Sequence, residues 1–186
     1  MKLSAVLLVV SDMERSRRFY ENVLLQKVIM DFGDNIVFES GLSLQTKSSW
    51  PSLTGIPEDD IRFCGKDAEI YFEDDDFDLI AEHLKAAAGP GGCSTDPDSD
   101  PGSCPSYPVR YVHDIKEHPW GQRVIRIYDP DGHIIEIGES MESVIMKFLA
   151  SGMTIEEAAE KSQYPEEFVK ECFIKQFAPK RPGDGR

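Results

Sequence analysis

Residues 120–139 read WGQRVIRIYDPDGHIIEIGE, two short apolar strands joined by a turn rich in aspartate, proline and glycine. Successive side chains of a strand point to opposite faces of a sheet, so Ile134 and Glu136 share one face while the isoleucines next to them share the other. A buried carboxylate without a partner is energetically costly. Glu136 therefore faces water or has a partner, and Arg126 in the preceding strand is one candidate.

The composition is that of an ordinary globular protein. The chain has 186 residues, of which 40% are hydrophobic and 29% charged, which predicts one domain with room for an appendage. A formal net charge of −14 at pH 7 argues against nucleic acid or an anionic membrane surface as the main partner, because both repel an acidic surface. The apolar run from Ala5 to Val10 is too short for a signal peptide or a membrane span. We therefore expect a cytoplasmic protein.

One order of elements occurs twice in the chain. The first copy is predicted to comprise a strand from Leu3 to Val10, a helix opened by the capping box Ser11 to Glu14 and ending at about Leu25, and strands Lys27 to Phe32, Asn35 to Ser40 and Leu42 to Thr46. The second copy is predicted to comprise strand Ala68 to Glu73, helix Phe77 to Ala88, and strands Val109 to His113, Arg123 to Tyr128 and His133 to Gly138. A shift of 64 residues places Asp12 on Asp76. The repeat indicates a duplicated module.

Three segments resemble the vicinal oxygen chelate superfamily, which includes glyoxalase I, bleomycin-resistance proteins and extradiol dioxygenases. They are VVSDMERSRRFYENVL (9–24), EIYFEDDDFD (69–78) and the stretch 120–139. The resemblance implies an α+β fold in which two βαβββ modules, 3–47 and 68–139, form a cleft within a glyoxalase-like domain at 1–139. It also implies a homodimer.

The resemblance also implies positions for a metal. In glyoxalase-like members, the first and last strands of each module supply inward histidines and glutamates that hold a divalent ion. Residue by residue, these positions fall on Ala5, Gln45, Glu69 and Glu136, and His113 is a further candidate ligand. Ala5 has no donor atom. The implied metal is manganese, magnesium, nickel or zinc, and carboxylate and amide oxygens suit the hard ions manganese and magnesium best.

Two functions follow from the resemblance. The first is a glyoxalase-like lyase or isomerase, in which a metal polarises the carbonyl of a small substrate or thiol adduct and Glu136 or Glu69 moves the proton. The alternative is a metal-free small-molecule binding protein of the bleomycin-resistance type. In either case the residues predicted to line the cleft are Leu7, Val9, Tyr71, Trp120 and Arg126.

Residues 89–108 interrupt the second module. Their proline, glycine, serine and aspartate content predicts an exposed, flexible insertion, and their spaced aspartates resemble a calcium loop only weakly. None of the four cysteines forms a CxxC pair, so a structural zinc site is not expected. Cys93 and Cys104 could bridge, or both could remain free thiols in a reducing compartment.

Residues 140–178 follow the repeat and predict a helical appendage. Its helices are expected at Met141 to Ala150, at Thr154 to Ser162 with a capping box, and at Pro165 to Gln176. Three short helices could form a DNA-binding helix-turn-helix, but the glutamates at the start of the third would face phosphates. We expect packing against the main domain or a partner subunit instead, and a disordered tail at 179–186.

Overall fold

The computed structural model of the chain describes residues 1–88 and 109–177. The first module contains β1 (Val6–Val10), α1 (Met13–Asn22), β2 (Val28–Asp31), β3 (Asn35–Phe38) and β4 (Leu42–Thr46). The linker contains α2 (Trp50–Thr54) and a 3-10 turn (Glu58–Asp60). The second module contains β5 (Glu69–Asp74), α3 (Phe77–Ala88), β6 (Arg110–Glu117), β7 (Arg123–Tyr128) and β8 (Ile134–Glu139), and the appendage contains α4 (Met141–Ala150), α5 (Ile155–Ser162) and α6 (Glu166–Phe177). The predicted α+β class and its duplicated order are confirmed.

The insertion at 89–108, with the Cys93 and Cys104 alternatives and the calcium hypothesis, lies outside the described residues, as does the predicted tail. Cys64 and Cys172, which are described, are free thiols. No helix in the described ranges is both long and apolar enough to cross a membrane.

Each module forms one four-stranded mixed sheet. The strand orders are β1-β4-β3-β2 and β5-β8-β7-β6, with the first strand parallel to the fourth and the other pairs antiparallel. One face of each sheet packs into a shared core that contains Leu44 and Ile135 from the sheets and Phe19 and Phe77 from the helices. We call the opposite face of each sheet its open face. Glu136 lies on the open face of the second sheet, as its alternation with buried isoleucines predicts.

The first strand is shorter than predicted. β1 begins at Val6, not Leu3, because its parallel partner β4 begins at Leu42 after the turn at Gly41. Val6 N–H donates to the Gly41 carbonyl at 3.3 Å, which is the first bond at this end of the pair. Ala5 is therefore outside the strand, and its side chain is exposed.

The ends of α1 also differ from the prediction. Asp12, not Ser11, caps the helix, since its side chain accepts from the Arg15 N–H at 2.9 Å. The helix ends at Asn22 because Leu25 adopts the left-handed conformation (φ 53°) and Gln26 N–H turns back to the Tyr20 carbonyl at 2.8 Å. This closing bond is typical of a helix C-terminus.

Ser11 instead joins the two modules. Its N–H donates to Oδ2 of Asp131 at 3.0 Å, and its hydroxyl and the Arg15 guanidinium both reach Oδ1 of the same carboxylate. Two residues earlier in that turn, Asp129 accepts from the Tyr20 hydroxyl at 3.0 Å. The turn between β7 and β8 therefore fixes the first helix against the second module.

The appendage has its own apolar core, which includes Ile145, Phe148, Ala158 and Val169. The capping box predicted at Thr154 is present, with Thr154 and Glu157 each accepting from the other's backbone N–H. The helices contact the second module through the Phe148 ring, which lies so close to Gly121 that an added Cβ there would be 2.3 Å from Cζ. The appendage therefore packs on the second module.

Ion pairs also hold the appendage against the second module. Glu139, at the end of β8 and only 1% exposed, accepts from Arg123 of β7 at 3.0 Å and from Lys147 of α4. Burial raises the pKa of Glu139, but hydrogen bonds from both cations outweigh it and hold the pKa below 4.5. Glu139 is thus ionised and connects the sheet with α4.

Candidate functional site

An arginine lies at the centre of the open face of the second sheet. Arg126 is the register partner of Glu136 in the β7–β8 pair, and its guanidinium contacts the Glu136 carboxylate. Its Nε donates to Oε2 of Glu69 at 2.9 Å. Glu136 is only 7% exposed, so a neutralising cation is needed for it to remain charged there. The predicted catalytic residues Glu69 and Glu136 are thus brought together by one guanidinium.

His113 completes this cluster. Arg126 Nη1 lies 3.2 Å from His113 Nε2, and His113 Nδ1 lies 2.7 Å from the Asp114 carbonyl. A guanidinium only donates and a carbonyl only accepts, so in this arrangement Nε2 accepts from Arg126 and Nδ1 donates to the Asp114 carbonyl. The Nε2 lone pair, which a metal would need, faces Arg126. We call Glu69, His113, Arg126 and Glu136 the arginine cluster.

The other predicted residues lie on the first sheet. Gln45 is buried and its amide donates to the Ser49 hydroxyl at 2.5 Å. Val9 is the register partner of Gln45 on the open face, and Leu7 is 38% exposed one pair earlier on the same face. Ala5 precedes the strand and carries no donor.

A second group of predicted residues meets beyond Glu136 along the same face. Tyr71, the register partner of Glu136 on β5, donates its hydroxyl to Glu73 at 2.7 Å and accepts from Gln122 Nε2 at 2.7 Å. Gln122 also accepts from the Trp120 indole N–H at 3.1 Å. One buried glutamine thus fixes the two aromatic side chains that the sequence predicts in a ligand site.

These aromatic residues line a pocket of about 360 Å³. The remaining lining residues are Glu73 and Gln122 of the second module and Met141, Gln163 and Tyr164 of the appendage. Burial and the hydrogen bond to Glu73 raise the pKa of Tyr71 above its ordinary value, so its phenol stays protonated and donates. We call this cavity the aromatic pocket.

A histidine extends the aromatic wall towards the arginine cluster. The His118 ring stacks on Trp120 with centroids 4.3 Å apart and planes inclined by 16°. Burial, and then the positive charge of Arg126, lower the pKa of His118. The stacked imidazole is therefore neutral at physiological pH.

A family model described as a glyoxalase-like domain matches residues 3–89 and 105–142. The chain belongs to the glyoxalase-like domain family. The match places it in the vicinal oxygen chelate superfamily that the sequence resembles, and it ends at residue 142, before most of the appendage. A comparison with curated proteins found no match.

Solved structures share the glyoxalase-like fold. A protein of unknown function from Agrobacterium tumefaciens str. C58 is 28% identical and has a TM-score of 0.58, with 75% of this chain and 94% of that one covered. A glyoxalase/bleomycin resistance protein/dioxygenase from Nocardioides is 19% identical with a TM-score of 0.55, covering 75% and 83%. A lactoylglutathione lyase from Agrobacterium tumefaciens is 18% identical with a TM-score of 0.52, covering 75% and 93%.

The donors that the family resemblance assigns to a divalent metal do not fit one in this arrangement. Both carboxylates and the imidazole nitrogen face the Arg126 guanidinium, and Ala5 offers nothing. Within residues 1–88 and 109–177, no group of three or more His, Cys, Asp or Glu side chains is placed to hold a metal ion. The assignment of these residues as ligands stays a prediction.

Four residues at this site escaped prediction from the sequence. Gln122, Glu73 and His118 belong to predicted strands or loops but carry no motif, and Tyr164 lies in a turn between two appendage helices. The position of Gln122 two residues after Trp120 is the one feature of the sequence that could have predicted the hydrogen bond between these side chains. No local pattern indicates that Tyr164 approaches Tyr71.

Proposed function

We propose that this protein is a metal-independent small-molecule binding member of the glyoxalase-like family. The single observation that carries the proposal is the guanidinium of Arg126 between Glu69 and Glu136. Two neighbouring carboxylates favour a cation between them. Arg126 supplies that charge from the protein itself, so the pair requires no metal for neutralisation.

The chemistry of the remaining groups supports binding. A glyoxalase-like proton transfer needs a carboxylate free to accept the substrate proton, whereas Glu136 is buried against Arg126. Next to the cluster are aromatic side chains with a few fixed polar groups, a combination typical of small-ligand sites. The metal-free alternative from the sequence is therefore preferred to the metal-assisted lyase.

Elemental analysis and thermal unfolding test the proposal. Purified protein should contain no stoichiometric manganese, nickel or zinc, and its melting temperature should be the same with a chelator and with added manganese, magnesium, nickel or zinc. Glu136→Gln should leave that insensitivity unchanged. A metal-dependent rise in the wild-type melting temperature that Glu136→Gln abolishes would overturn the proposal and favour the enzyme. The homodimer stays a prediction, which light scattering tests.

A further inference from the structure

The aromatic pocket is built by two parts of the chain. Tyr71, Glu73, Trp120 and Gln122 come from the glyoxalase-like module, whereas Gln163 and Tyr164 come from the turn between α5 and α6. This turn lies beyond the family match, which ends at residue 142. The appendage therefore completes a cavity that the module does not close alone.

The appendage side of the pocket is held in place. Gln163 ends α5 in the left-handed conformation (φ 62°), and the Tyr164 N–H then donates to the Ser162 hydroxyl at 3.3 Å. The Tyr164 ring packs against Phe168 of α6 with centroids 4.9 Å apart. The Tyr164 ring therefore lines the aromatic pocket in a fixed position.

The module side is fixed as tightly. Gly138 lies beneath Tyr71, where an added Cβ would be 2.9 Å from the phenol oxygen and 3.0 Å from Gln122 Nε2. Trp120 is hydrogen-bonded by Gln122 and stacked by His118, and it also packs against the appendage core. Three aromatic rings therefore line the cavity in set positions.

The residues that line the aromatic pocket carry a net negative charge. Glu73 is the one charged residue among the described residues that line the cavity, and none of them is a lysine or an arginine. In the described part of the chain the Glu73 carboxylate accepts from the Tyr71 hydroxyl and forms no ion pair. Aromatic faces attract cations through their quadrupoles, and a carboxylate beside them adds direct attraction.

We propose that the aromatic pocket binds a small organic cation, an ammonium group on an aromatic or apolar body, with the ammonium at Glu73 and the body against Tyr71, Trp120 and Tyr164. The inference rests on the proposed binding function and specifies its ligand class. A volume of about 360 Å³ limits the ligand to a compact molecule at the small end of ligand sites. An anion would meet Glu73 and find no basic group among the lining residues.

Tryptophan fluorescence tests the inference. The chain has two tryptophans, so Trp50→Phe leaves Trp120 as the single reporter. The probes are phenethylamine and benzyltrimethylammonium, compared with neutral 2-phenylethanol and anionic phenylacetate. Both cations should change the emission saturably, and the neutral and anionic probes should bind at least about tenfold more weakly, as loss of the charge interaction with Glu73 and the aromatic rings predicts.

Variants separate the two parts of the pocket. Glu73→Gln should weaken the cations about tenfold and leave 2-phenylethanol unaffected, because it removes charge and keeps shape. Tyr164→Leu should weaken all probes that bind. Glu167→Gln on α6 is the matched control, because it removes one negative charge from an exposed residue that does not line the pocket, and it should change nothing.

Several outcomes would overturn the inference: no saturable change with either cation, equal affinity for phenylacetate, or unaltered cation affinity in Glu73→Gln. Metal content and metal-dependent melting are measured on the same preparation. Bound metal overturns the proposed function whatever the probes do. Failure of both cations in metal-free, metal-insensitive protein overturns the ligand class alone.

Discussion

Arg126 lies directly opposite Glu136 in the antiparallel pairing of β7 and β8, and its guanidinium contacts a carboxylate that is nearly buried. A strand that alternates isoleucine with glutamate is stable here because the neighbouring strand places arginine at the same register. The pair explains why this charge occurs in an otherwise apolar strand.

Removing the guanidinium should destabilise the fold. Arg126→Met leaves Glu136 uncompensated, and breaking a buried ion pair from one side typically costs about 3 kcal/mol. The double variant Arg126→Met/Glu136→Met should regain most of this loss, since it leaves no buried charge. Urea unfolding measures both, and a double variant as unstable as the single one would mean that the pair contributes through shape alone.

Replacing Arg126 with alanine should create an affinity for divalent metal ions. Arg126→Ala leaves the Glu69 and Glu136 carboxylates without their cation, so manganese, nickel or zinc should stabilise the variant by about 2.7 kcal/mol at a hundredfold excess over Kd. The wild type should show no such gain. Adding Glu136→Gln to the variant is the control and should remove the effect. If the melting temperature of Arg126→Ala ignores every ion, the guanidinium does not stand in for a metal.

A glycine pair tests the docking of the appendage. Gly121 and Gly33 both have positive φ, 85° and 79°, but only Gly121 has a ring within contact distance of an added Cβ. Gly33→Ala should cost about 1 kcal/mol, the backbone strain alone. Gly121→Ala should cost about 1–3 kcal/mol more, because Phe148 must move. Chemical unfolding compares them, and equal losses would argue against close packing at Gly121.

Stability should depend on the protonation of His133. Burial lowers its pKa, but the hydrogen bond to Asp129 at 2.7 Å and the charges of Asp129 and Asp131 outweigh it, so the pKa lies above 6.5. Because the pKa of His133 is higher in the folded state than in the unfolded state, protonation of His133 stabilises the fold. This stabilisation is fully present below pH 6.5 and is lost as the pH rises through the folded-state pKa. The stability advantage of wild type over His133→Gln should therefore shrink on going from acidic to alkaline pH. NMR titration checks the pKa itself, and a value at or below the ordinary one would contradict the assignment.

Local sequence patterns were sufficient to predict the architecture of the two modules. The alternation of Ile134 to Ile137, the turn residues between strands and the 64-residue repeat predicted element order, sheet faces and fold class. These features depend on residues near one another in the chain, where side-chain period and turn chemistry act. The predictions were wrong at the ends of elements. Ala5 was placed in the first strand but lies before it, because β1 begins only where its partner strand β4 begins.

The arrangement of side chains in the candidate site could be determined only from the tertiary structure. The sequence named Glu69, Glu136, Tyr71, Trp120 and Arg126 as site residues, but it left open whether a metal or an arginine neutralises the glutamates. Strand register places Arg126 directly opposite Glu136, since one position of slip would turn Arg126 to the opposite face. Likewise, Tyr164 and Tyr71 line one pocket because the appendage packs on the second module, with the Phe148 ring against Gly121. No local period encodes such contacts between distant residues.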